Sequence, residues 1–302
     1  VPVIDLSSPE SKSRIVFACE EFGFFKVINH RVPVEFIRDL ESQADDFFSQ
    51  PLPHKERAGP PDPFGYGDKK IGCNGDVGFV EYLLLNTNTQ SGNRKFDAIF
   101  GEAAETFRSA VNEYVGAVKN MACEILEMIS EELKIEPRNA LSKLLRDENS
   151  DSIFRLNHYP PAPESENLGL IGFGEHTDPQ IISVLRSNNT SGLQIALKDG
   201  SWISVPPDQN SFFINVGDSL QVMTNNRFKS VRHRVIANSS EPRLSMIYFG
   251  GPPLSEKIAP LPEMTEGQNS LYKEFTWYEY KVWAYKTKLA DNRLGLFQKI
   301  AA

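Results

Sequence analysis

The sequence contains few cysteines, and their spacing excludes two kinds of small stabilised domain. Only Cys19, Cys73 and Cys123 occur among 302 residues, and no two of them form a CxxC pair. A disulfide framework uses an even set of cysteines, and a thiolate zinc site uses CxxC pairs. We therefore expect reduced thiols and a location in the cytoplasm, with the nucleus as the second choice.

Long apolar runs and an excess of basic residues are also absent. No apolar stretch reaches the roughly 18 to 20 residues that a membrane helix needs, and the formal net charge is -8. Nucleic-acid binding needs a concentrated basic surface that releases counterions from phosphates. We expect neither a membrane nor a nucleic acid as partner, and a small molecule instead. Association of copies into a homo-oligomer stays open.

A phosphate-binding loop is missing from the glycine-rich part of the chain. Residues 51–78 are dense in proline and glycine but lack the GK[ST] ending of a P-loop. This density predicts a long loop without regular elements. Loops of this length in compact domains often cover a ligand, so residues 64–70 are candidates for a lid.

The first half of the chain favours helices with short strands between them. Apolar residues at helical spacing predict one long amphipathic helix, and Ser8 followed by Pro9 is typical of a helix start. The predicted strands cover 1–6 and 24–30, and the predicted helices cover 9–22, a segment after Pro33, 102–133 and 137–145.

The second half consists of short β-prone runs separated by turns, such as the one at 198–201. Even spacing of this kind favours an antiparallel jelly roll over alternating βα units. We predict a mixed α and β protein with a mainly helical region at 1–150, a jelly-roll core at 151–255 and a helical segment at 256–302 that closes over the site. The predicted strands are 154–159, 181–185, 193–197, 202–205, 212–216, 231–237 and 243–249, and the last helix is 271–290.

Two histidines and one aspartate have the composition of a ferrous site. In a strand, His176 and Asp178 fall on one face with Thr177 turned away. His233 lies between two valines that share its face, so it should point inward. Two imidazoles and a carboxylate can occupy one face of an octahedral Fe(II), which leaves three positions open for a co-substrate and dioxygen.

The same alternation brings further polar groups together. Arg243 and Ser245 share a face, and their donors suit the far carboxylate of a small diacid. Between 154 and 159, alternation groups Arg155, Asn157 and Tyr159 and turns His158 away, so we do not expect His158 to bind the metal. His30 and His54 have no carboxylate at ligand spacing and are not expected to be ligands either.

Several motifs resemble the plant 2-oxoglutarate and iron(II)-dependent dioxygenases over nearly the whole chain. They are GFFKVINH at 23–30, NHYPP at 157–161, HTDP at 176–179, NVGD at 215–218 and HRV at 233–235. Within that family, FGYG at 64–67, EYLLL at 81–85, GFGE at 172–175 and SLYKEFTW at 270–277 resemble the gibberellin 2-oxidases. The family usually has cysteine after Tyr-Pro-Pro, where this chain has Ala162.

The resemblance implies a double-stranded β-helix in which His176, Asp178 and His233 hold Fe(II). It implies that 2-oxoglutarate is the co-substrate, that Tyr159 and Asn157 lie near it, and that ascorbate supports turnover. The implied reaction hydroxylates nineteen-carbon gibberellins at carbon 2 on the β face with dioxygen, which inactivates the hormone. A gibberellin is a rigid apolar diterpenoid with a carboxylate, and the candidate residues for binding it are Lys70, Tyr285, Tyr82, Phe79 and Phe249.

Three alternatives remain open on the sequence. The same metal and diacid residues would serve a dioxygenase of a flavonoid, another hormone or an alkaloid precursor. A non-catalytic hormone-binding jelly roll could keep the metal for structure, and a zinc hydrolase can use two histidines and a carboxylate. The last alternative leaves Arg243 and Ser245 without a role.

Overall fold

The computed structural model describes residues 1–61, 64–71, 74–87, 104–162 and 170–299. Its helices, numbered along the chain, are Ser11–Glu21 (α1), Val34–Phe48 (α2), Leu52–Lys55 (α3), Ala104–Leu133 (α4), Ser142–Arg146 (α5), Asp218–Met223 (α6), Pro262–Thr265 (α7) and Trp277–Lys286 (α8). Short 3₁₀ segments span Glu56–Ala58 and Arg293–Phe297. None of the described helices combines the length and the apolar character needed to cross a bilayer.

The strands form two main sheets and one small pair. They are Val3–Asp5 (β1), Phe24–Ile28 (β2), Gly65–Ile71 (β3), Asp76–Asn86 (β4), Ile153–Tyr159 (β5), Ile171–His176 (β6), Ile182–Ser187 (β7), Leu193–Ala196 (β8), Trp202–Ser204 (β9), Phe212–Val216 (β10), His233–Ile236 (β11), Arg243–Gly250 (β12), Lys257–Ile258 (β13) and Phe275–Thr276 (β14). The eight-stranded sheet has the order β1-β2-β10-β7-β12-β5-β4-β3, and the four-stranded sheet has the order β6-β11-β8-β9. This is the predicted jelly roll, and the strands of residues 1–86 extend its larger sheet.

Side-chain alternation along the strands separates two apolar cores. Leu244, Met246 and Tyr248 of β12 pack on the helical side of the large sheet, whereas Ile247 faces the space between the two sheets. The long helix α4 lies against the helical side and buries one face of itself there. Because successive residues of a strand point to opposite faces, the interior of the barrel receives the other half of each strand. That interior is where the polar candidates lie.

The structure corrects the prediction for residues 51–78. Instead of an irregular loop, this stretch contains α3, a 3₁₀ turn and β3, which pairs antiparallel with β4. The glycines of β3 are tolerated because Gly67 packs against the ring of Tyr82, where a Cβ would come within 2.4 Å of that ring. A glycine in a strand can mark a place where another group approaches the backbone closely, and not only an irregularity of the strand. Gly72 and Cys73 lie outside the described residues.

Several element boundaries also differ from the prediction. The first helix begins at Ser11, not at Pro9, because the backbone of residues 8–11 forms a turn in which Ser11 donates to the carbonyl of Ser8. The last helix, expected at 271–290, covers only Trp277–Lys286 and starts with a capping box between Thr276 and Glu279. Asp218 of the NVGD motif begins α6, a short helix that is not among the predicted ones.

Candidate metal centre and substrate pocket

Three ligand atoms meet at the open end of the barrel. His176 ends β6 and His233 begins β11, and the two residues are direct partners across these paired strands. Each Nε2 atom lies 3.6 Å from Oδ1 of Asp178. The three side chains form a group that could hold a metal ion, with all ligand atoms within 4.8 Å of one another.

Backbone carbonyls determine which ring nitrogen of each imidazole carries the proton. Nδ1 of His176 donates to the carbonyl of Gly174 at 2.8 Å, and Nδ1 of His233 donates to the carbonyl of Val231 at 3.2 Å. A carbonyl can only accept a hydrogen bond, so each Nδ1 carries the proton and each Nε2 offers a lone pair to the centre. Burial, together with the neighbouring His233, lowers the pKa of His176 to about 3, which keeps this ring in its neutral, ligating form.

Neighbouring side chains orient Asp178, which is 3% exposed. Ser183 and Asn215 donate to its Oδ2 at 2.7 and 3.2 Å, which leaves Oδ1 directed at the two imidazoles. Burial alone would raise the pKa of Asp178, but the two histidines and these hydrogen bonds lower it. Asn215 belongs to the NVGD motif, so the sequence contained a signal for it, whereas nothing in the sequence pointed to Ser183.

Asp178 points to the same side as His176, as predicted, but it does not lie in a strand. Strand β6 ends at His176, so Asp178 lies in the turn that follows and not in the strand. The turn is held because the backbone N–H of Asp218 donates to the carbonyl of Asp178 at 2.7 Å, and Thr177 donates to the Asp218 carboxylate at 3.1 Å. Residues at the start of α6 thus position the segment between two of the ligands.

A buried arginine lies beside the metal group. Arg243 and Ser245, which are 2% and 1% exposed, point into the barrel interior as alternation predicted. No carboxylate of the described residues pairs with Arg243, and its Nε has no hydrogen-bond partner. An unpaired buried guanidinium is unfavourable unless an anion reaches it. The same small cavity is lined by Asn157 and Tyr159, while His158 faces the other way.

A cavity of about 890 Å³ opens next to the metal ligands and is bordered by His176 and Asp178. Four of the five candidate substrate residues line it: Lys70, Tyr82, Phe249 and Tyr285. Phe79 does not, because it lies three positions from Tyr82 on the same strand and an odd separation puts two side chains on opposite faces. Arg155 and Arg293 also line the cavity. Alternation placed Arg155 on the face of Asn157 and Tyr159 without giving it a role, whereas nothing in the sequence pointed to Arg293.

The hairpin of β3 and β4 and the segment after α8 meet at this cavity. Asn74 donates to the carbonyl of Thr287 at 2.6 Å, and the backbone N–H of Leu289 donates to Asp76 at 2.8 Å. Asn74 and Leu289 are themselves part of the cavity wall. The hairpin and the carboxy-terminal segment therefore cover the cavity together.

The remaining histidines have partners outside the metal centre. His158 bonds to Glu81 at 2.8 Å and stacks on Phe48 with a centroid distance of 5.2 Å. His30 accepts from the backbone of Val32 at 3.1 Å, and His54 is exposed on α3. Their exclusion as ligands agrees with this geometry.

The residues fit a ferrous ion and a diacid. Two imidazoles, each with Nε2 directed at one point, and one carboxylate directed there too are the donor set of a non-haem Fe(II) site with open positions. The unpaired Arg243 beside that point supplies the charge that a second carboxylate needs.

Comparison with known proteins agrees with this chemistry. Residues 150–252 match the 2OG-Fe(II) oxygenase superfamily, and residues 1–97 match the non-haem dioxygenase in morphine synthesis N-terminal family. The chain is similar to the crystal structure of JOX2 in complex with 2OG, Fe and JA, with a TM-score of 0.86, 27% identity, and coverage of 99% of this chain and 89% of that one. It has the fold of the rice dioxygenase for auxin oxidation, with a TM-score of 0.81, 23% identity, and coverage of 99% and 100%.

Curated relatives match over almost their whole length. Gibberellin 2-beta-dioxygenase 1 of Pisum sativum is 64% identical over 100% of this chain and 92% of its own. Gibberellin 2-beta-dioxygenase 2 of Arabidopsis thaliana is 62% identical over 99% of this chain and 88% of its own. The chain therefore belongs to the 2OG-Fe(II) oxygenase superfamily and, within it, to the family of the gibberellin 2-beta-dioxygenases.

Proposed function

We propose that this protein is a 2-oxoglutarate- and Fe(II)-dependent dioxygenase that hydroxylates gibberellins at carbon 2 on the β face and so inactivates the hormone. The observation that carries the oxygenase part is the His-Asp-His group beside the unpaired, buried Arg243. The names of relatives with up to 64% identity support gibberellin as the substrate. We propose nineteen-carbon gibberellins as the preferred substrates.

In this proposal His176, Asp178 and His233 hold the iron. Bound there, Fe(II) would supply dioxygen activation and one-electron chemistry at its open positions. The protein contributes orientation: carbonyls fix each Nε2 toward the metal, and Ser183 and Asn215 fix one oxygen of Asp178. Partners of this kind commonly change metal affinity by about 10 to 100-fold.

Arg243 and Ser245 bind the far carboxylate of 2-oxoglutarate in this proposal. The planar guanidinium can donate two parallel hydrogen bonds, and the hydroxyl adds a third. Tyr159 and Asn157 line the same narrow cavity and contact the co-substrate there. Burial of all four side chains keeps water from competing for the carboxylate.

The larger cavity takes the hormone. Its volume of about 890 Å³ lies within the range of cavities that enclose small ligands, about 300 to 1,000 Å³. Residues 151–255 supply the metal and co-substrate groups, whereas Tyr82 and Lys70 from 1–150 and Tyr285 from 256–302 form part of the surrounding wall. Phe249 adds an aromatic surface from the core itself. We place the reaction in the cytoplasm or nucleus, with ascorbate keeping the iron reduced.

A substrate panel tests this function. The purified protein would be incubated with Fe(II), 2-oxoglutarate, ascorbate and a set of nineteen- and twenty-carbon gibberellins, and products would be identified by mass spectrometry and NMR. We expect a gain of one oxygen at carbon 2 together with one succinate per turnover. Hydroxylation at another carbon would contradict the proposed regiochemistry.

The panel also separates the broader alternatives. Oxygen consumption that needs both Fe(II) and 2-oxoglutarate would exclude a non-catalytic binder and a zinc hydrolase. Its absence under reducing conditions would contradict the oxygenase proposal. Turnover of flavonoids or alkaloid precursors, with none of gibberellins, would keep the reaction class and replace the substrate.

A further inference from the structure

A second arginine without a counter-ion lies between the two cavities. Arg155 of β5 lines both the large cavity and the narrow one that holds Arg243. None of the described carboxylates lies within ion-pair distance of it, and its Nη2 is shielded from solvent without a hydrogen-bond partner. The guanidinium therefore has donors to offer at the border of the cavity.

Aromatic rings hold the Arg155 side chain in one orientation. Its Cζ lies 3.8 Å from the ring centroid of Tyr82 and 5.0 Å from that of Phe173, and its Nε donates to Asn157 at 2.7 Å. Stacking of this kind covers the faces of a guanidinium and leaves the edge that carries the remaining N–H donors. A planar carboxylate is the group that such an edge binds best.

We propose that Arg155 binds the carboxylate of the substrate and is a specificity-determining residue. This inference rests on the proposed function and names the residue that binds the acidic end of the hormone: a nineteen-carbon gibberellin has one carboxylate on a largely apolar body. Two unpaired guanidiniums would then receive two carboxylates, with Arg243 taking that of 2-oxoglutarate and Arg155 that of the hormone. A neutral ligand would leave Arg155 buried and uncompensated, which is unfavourable.

The other two basic residues that line the cavity are less suited to bind the carboxylate of the substrate. Lys70 is exposed at the rim, where water already solvates its ammonium group. Arg293 is 6% exposed, but it donates to the carbonyl of Thr177 at 3.3 Å and acts electrostatically on the buried Asp218. Asp178 acts electrostatically on Arg155 from beyond ion-pair distance, and a bound metal would neutralise that charge.

A comparison of two ligands and four enzymes tests the assignment. A nineteen-carbon gibberellin and its methyl ester would be measured with wild type, Arg155→Gln and the control Arg227→Gln, which changes an exposed pair with Glu20 outside the cavity lining. Binding would be followed by calorimetry without oxygen in the presence of Fe(II) and 2-oxoglutarate, and KM and kcat by product analysis. Arg155→Lys would separate charge from the planar, stacked geometry.

We expect the ester to bind wild type about a hundredfold more weakly than the acid, the size of effect found when a buried charge loses its partner. In Arg155→Gln the acid should bind about as weakly as the ester, because the variant has no group that recognises the charge. Arg227→Gln should keep the wild-type ratio of acid to ester and the wild-type KM for 2-oxoglutarate. In Arg155→Gln the KM for 2-oxoglutarate should change much less than the ratio of acid to ester, since the variant loses the hydrogen bond to Asn157 but keeps Arg243.

Four results would overturn the assignment. Equal binding of acid and ester to wild type would contradict it, whether or not any variant folds. A full acid-to-ester ratio in Arg155→Gln would place the anchor elsewhere. A raised KM for 2-oxoglutarate with that ratio intact would assign Arg155 to the co-substrate. Wild type that binds the acid without hydroxylating it would contradict only the proposed function, and wild type that binds neither ligand would contradict both.

Discussion

At the scale of single residues, each of the three candidate metal ligands has one atom without another protein partner. The positions of these three atoms set the geometry of the candidate metal centre. The carbonyls of Gly174 and Val231 take the Nδ1 protons of the two histidines, and Oδ2 of Asp178 is occupied by Ser183 and Asn215. One lone pair per ligand is left, and all three point to the same place. The hydrogen bonds around the ligands therefore determine the geometry as much as the ligands do.

Replacement of Asp178 by alanine should abolish metal binding and turnover. It removes the only carboxylate of the metal group, and we expect metal affinity to fall by more than about a hundredfold, the upper end for loss of a supporting partner alone. Metal content after dialysis and succinate formation would be measured. Asp199→Ala, on an exposed hairpin turn, is the matched control and should bind metal normally. Full activity of Asp178→Ala would refute the ligand assignment.

Replacement of Arg243 by glutamine should raise the KM for 2-oxoglutarate and leave that for the hormone unchanged. Loss of a charge-assisted pair to a buried carboxylate should cost about a hundredfold, and Ser245→Ala, which removes one donor, about tenfold. Steady-state kinetics with each substrate varied in turn would check this. Arg227→Gln, at an exposed pair with Glu20, serves as control. An effect of Arg243→Gln on the hormone alone would reverse the two arginine roles.

At the scale of elements, a buried polar cluster attaches β3 to the rest of the sheet. Glu81 of β4 accepts from Lys55 and Tyr66 at 2.6 Å each and bonds to His158 at 2.8 Å. These partners come from α3, β3 and β5, so one carboxylate joins three elements. Tyr66 also lines the large cavity. The cluster therefore supports the wall of the cavity from behind.

The Glu81 cluster should make stability depend on pH. Burial raises the pKa of Glu81, but the hydrogen bonds from His158, Lys55 and Tyr66 outweigh it and hold the pKa below its ordinary value of 4.5. A carboxyl with a lowered folded pKa stabilises the fold above its ordinary pKa, and this contribution is lost as pH falls through the folded value. We therefore expect part of the loss of stability below about pH 4.5 to come from Glu81.

Glu81→Gln tests this by urea unfolding at pH 7 and below pH 4. At neutral pH it should destabilise the protein by about 3 kcal/mol, because Lys55 stays buried without its carboxylate. The variant should then lose less stability on acidification than wild type. Glu20→Gln, which breaks an exposed pair, should cost less than about 1 kcal/mol at either pH. Parallel losses in wild type and Glu81→Gln would contradict the role of the cluster.

Helices and strands were predictable where the apolar residues recur with one clear spacing along the chain. The long helix α4 and strands such as β5, β10 and β12 follow clear apolar periodicity, and the structure has them close to their expected positions. The β3–β4 hairpin was missed because its glycines and prolines are typical of a loop. Pairing with the core strand β5 through β4 is what stabilises the hairpin, and such a long-range contact leaves no local pattern.

At the scale of the whole molecule, the two sheets bring together groups that are far apart in the chain. The proposed metal ligands come from β6, the segment after it and β11, and the proposed co-substrate residues come from β5 and β12. The cavity wall includes residues from both the first and the last third of the chain. The binding of iron and 2-oxoglutarate should therefore stabilise the folded barrel as a unit. Ligands that bind only the native state raise its stability by mass action.

Thermal unfolding should show this coupling. Saturation with Fe(II) and 2-oxoglutarate under nitrogen, each at about a hundred times its Kd, should add about 2.7 kcal/mol per ligand and raise Tm by several degrees. A chelator should reverse the shift. Asp178→Ala should show no shift with the metal, and Arg243→Gln should respond to the metal but not to 2-oxoglutarate. An equal shift in Asp178→Ala would mean that the metal binds elsewhere.

The sequence by itself determined the fold class, and it predicted the three metal ligands and the diacid anchor that we propose. Strand alternation is a local rule, so it grouped Arg243 with Ser245 and separated His158 from Asn157 and Tyr159 without any knowledge of the partners. Only the tertiary structure decided which groups lack a counter-ion and which wall they face. That is why it replaced Phe79 by other wall residues and showed that Arg155, which alternation had only grouped with Asn157 and Tyr159, has no counter-ion. Compensation of a buried charge depends on every neighbour in space, and those neighbours come from strands that no local pattern joins.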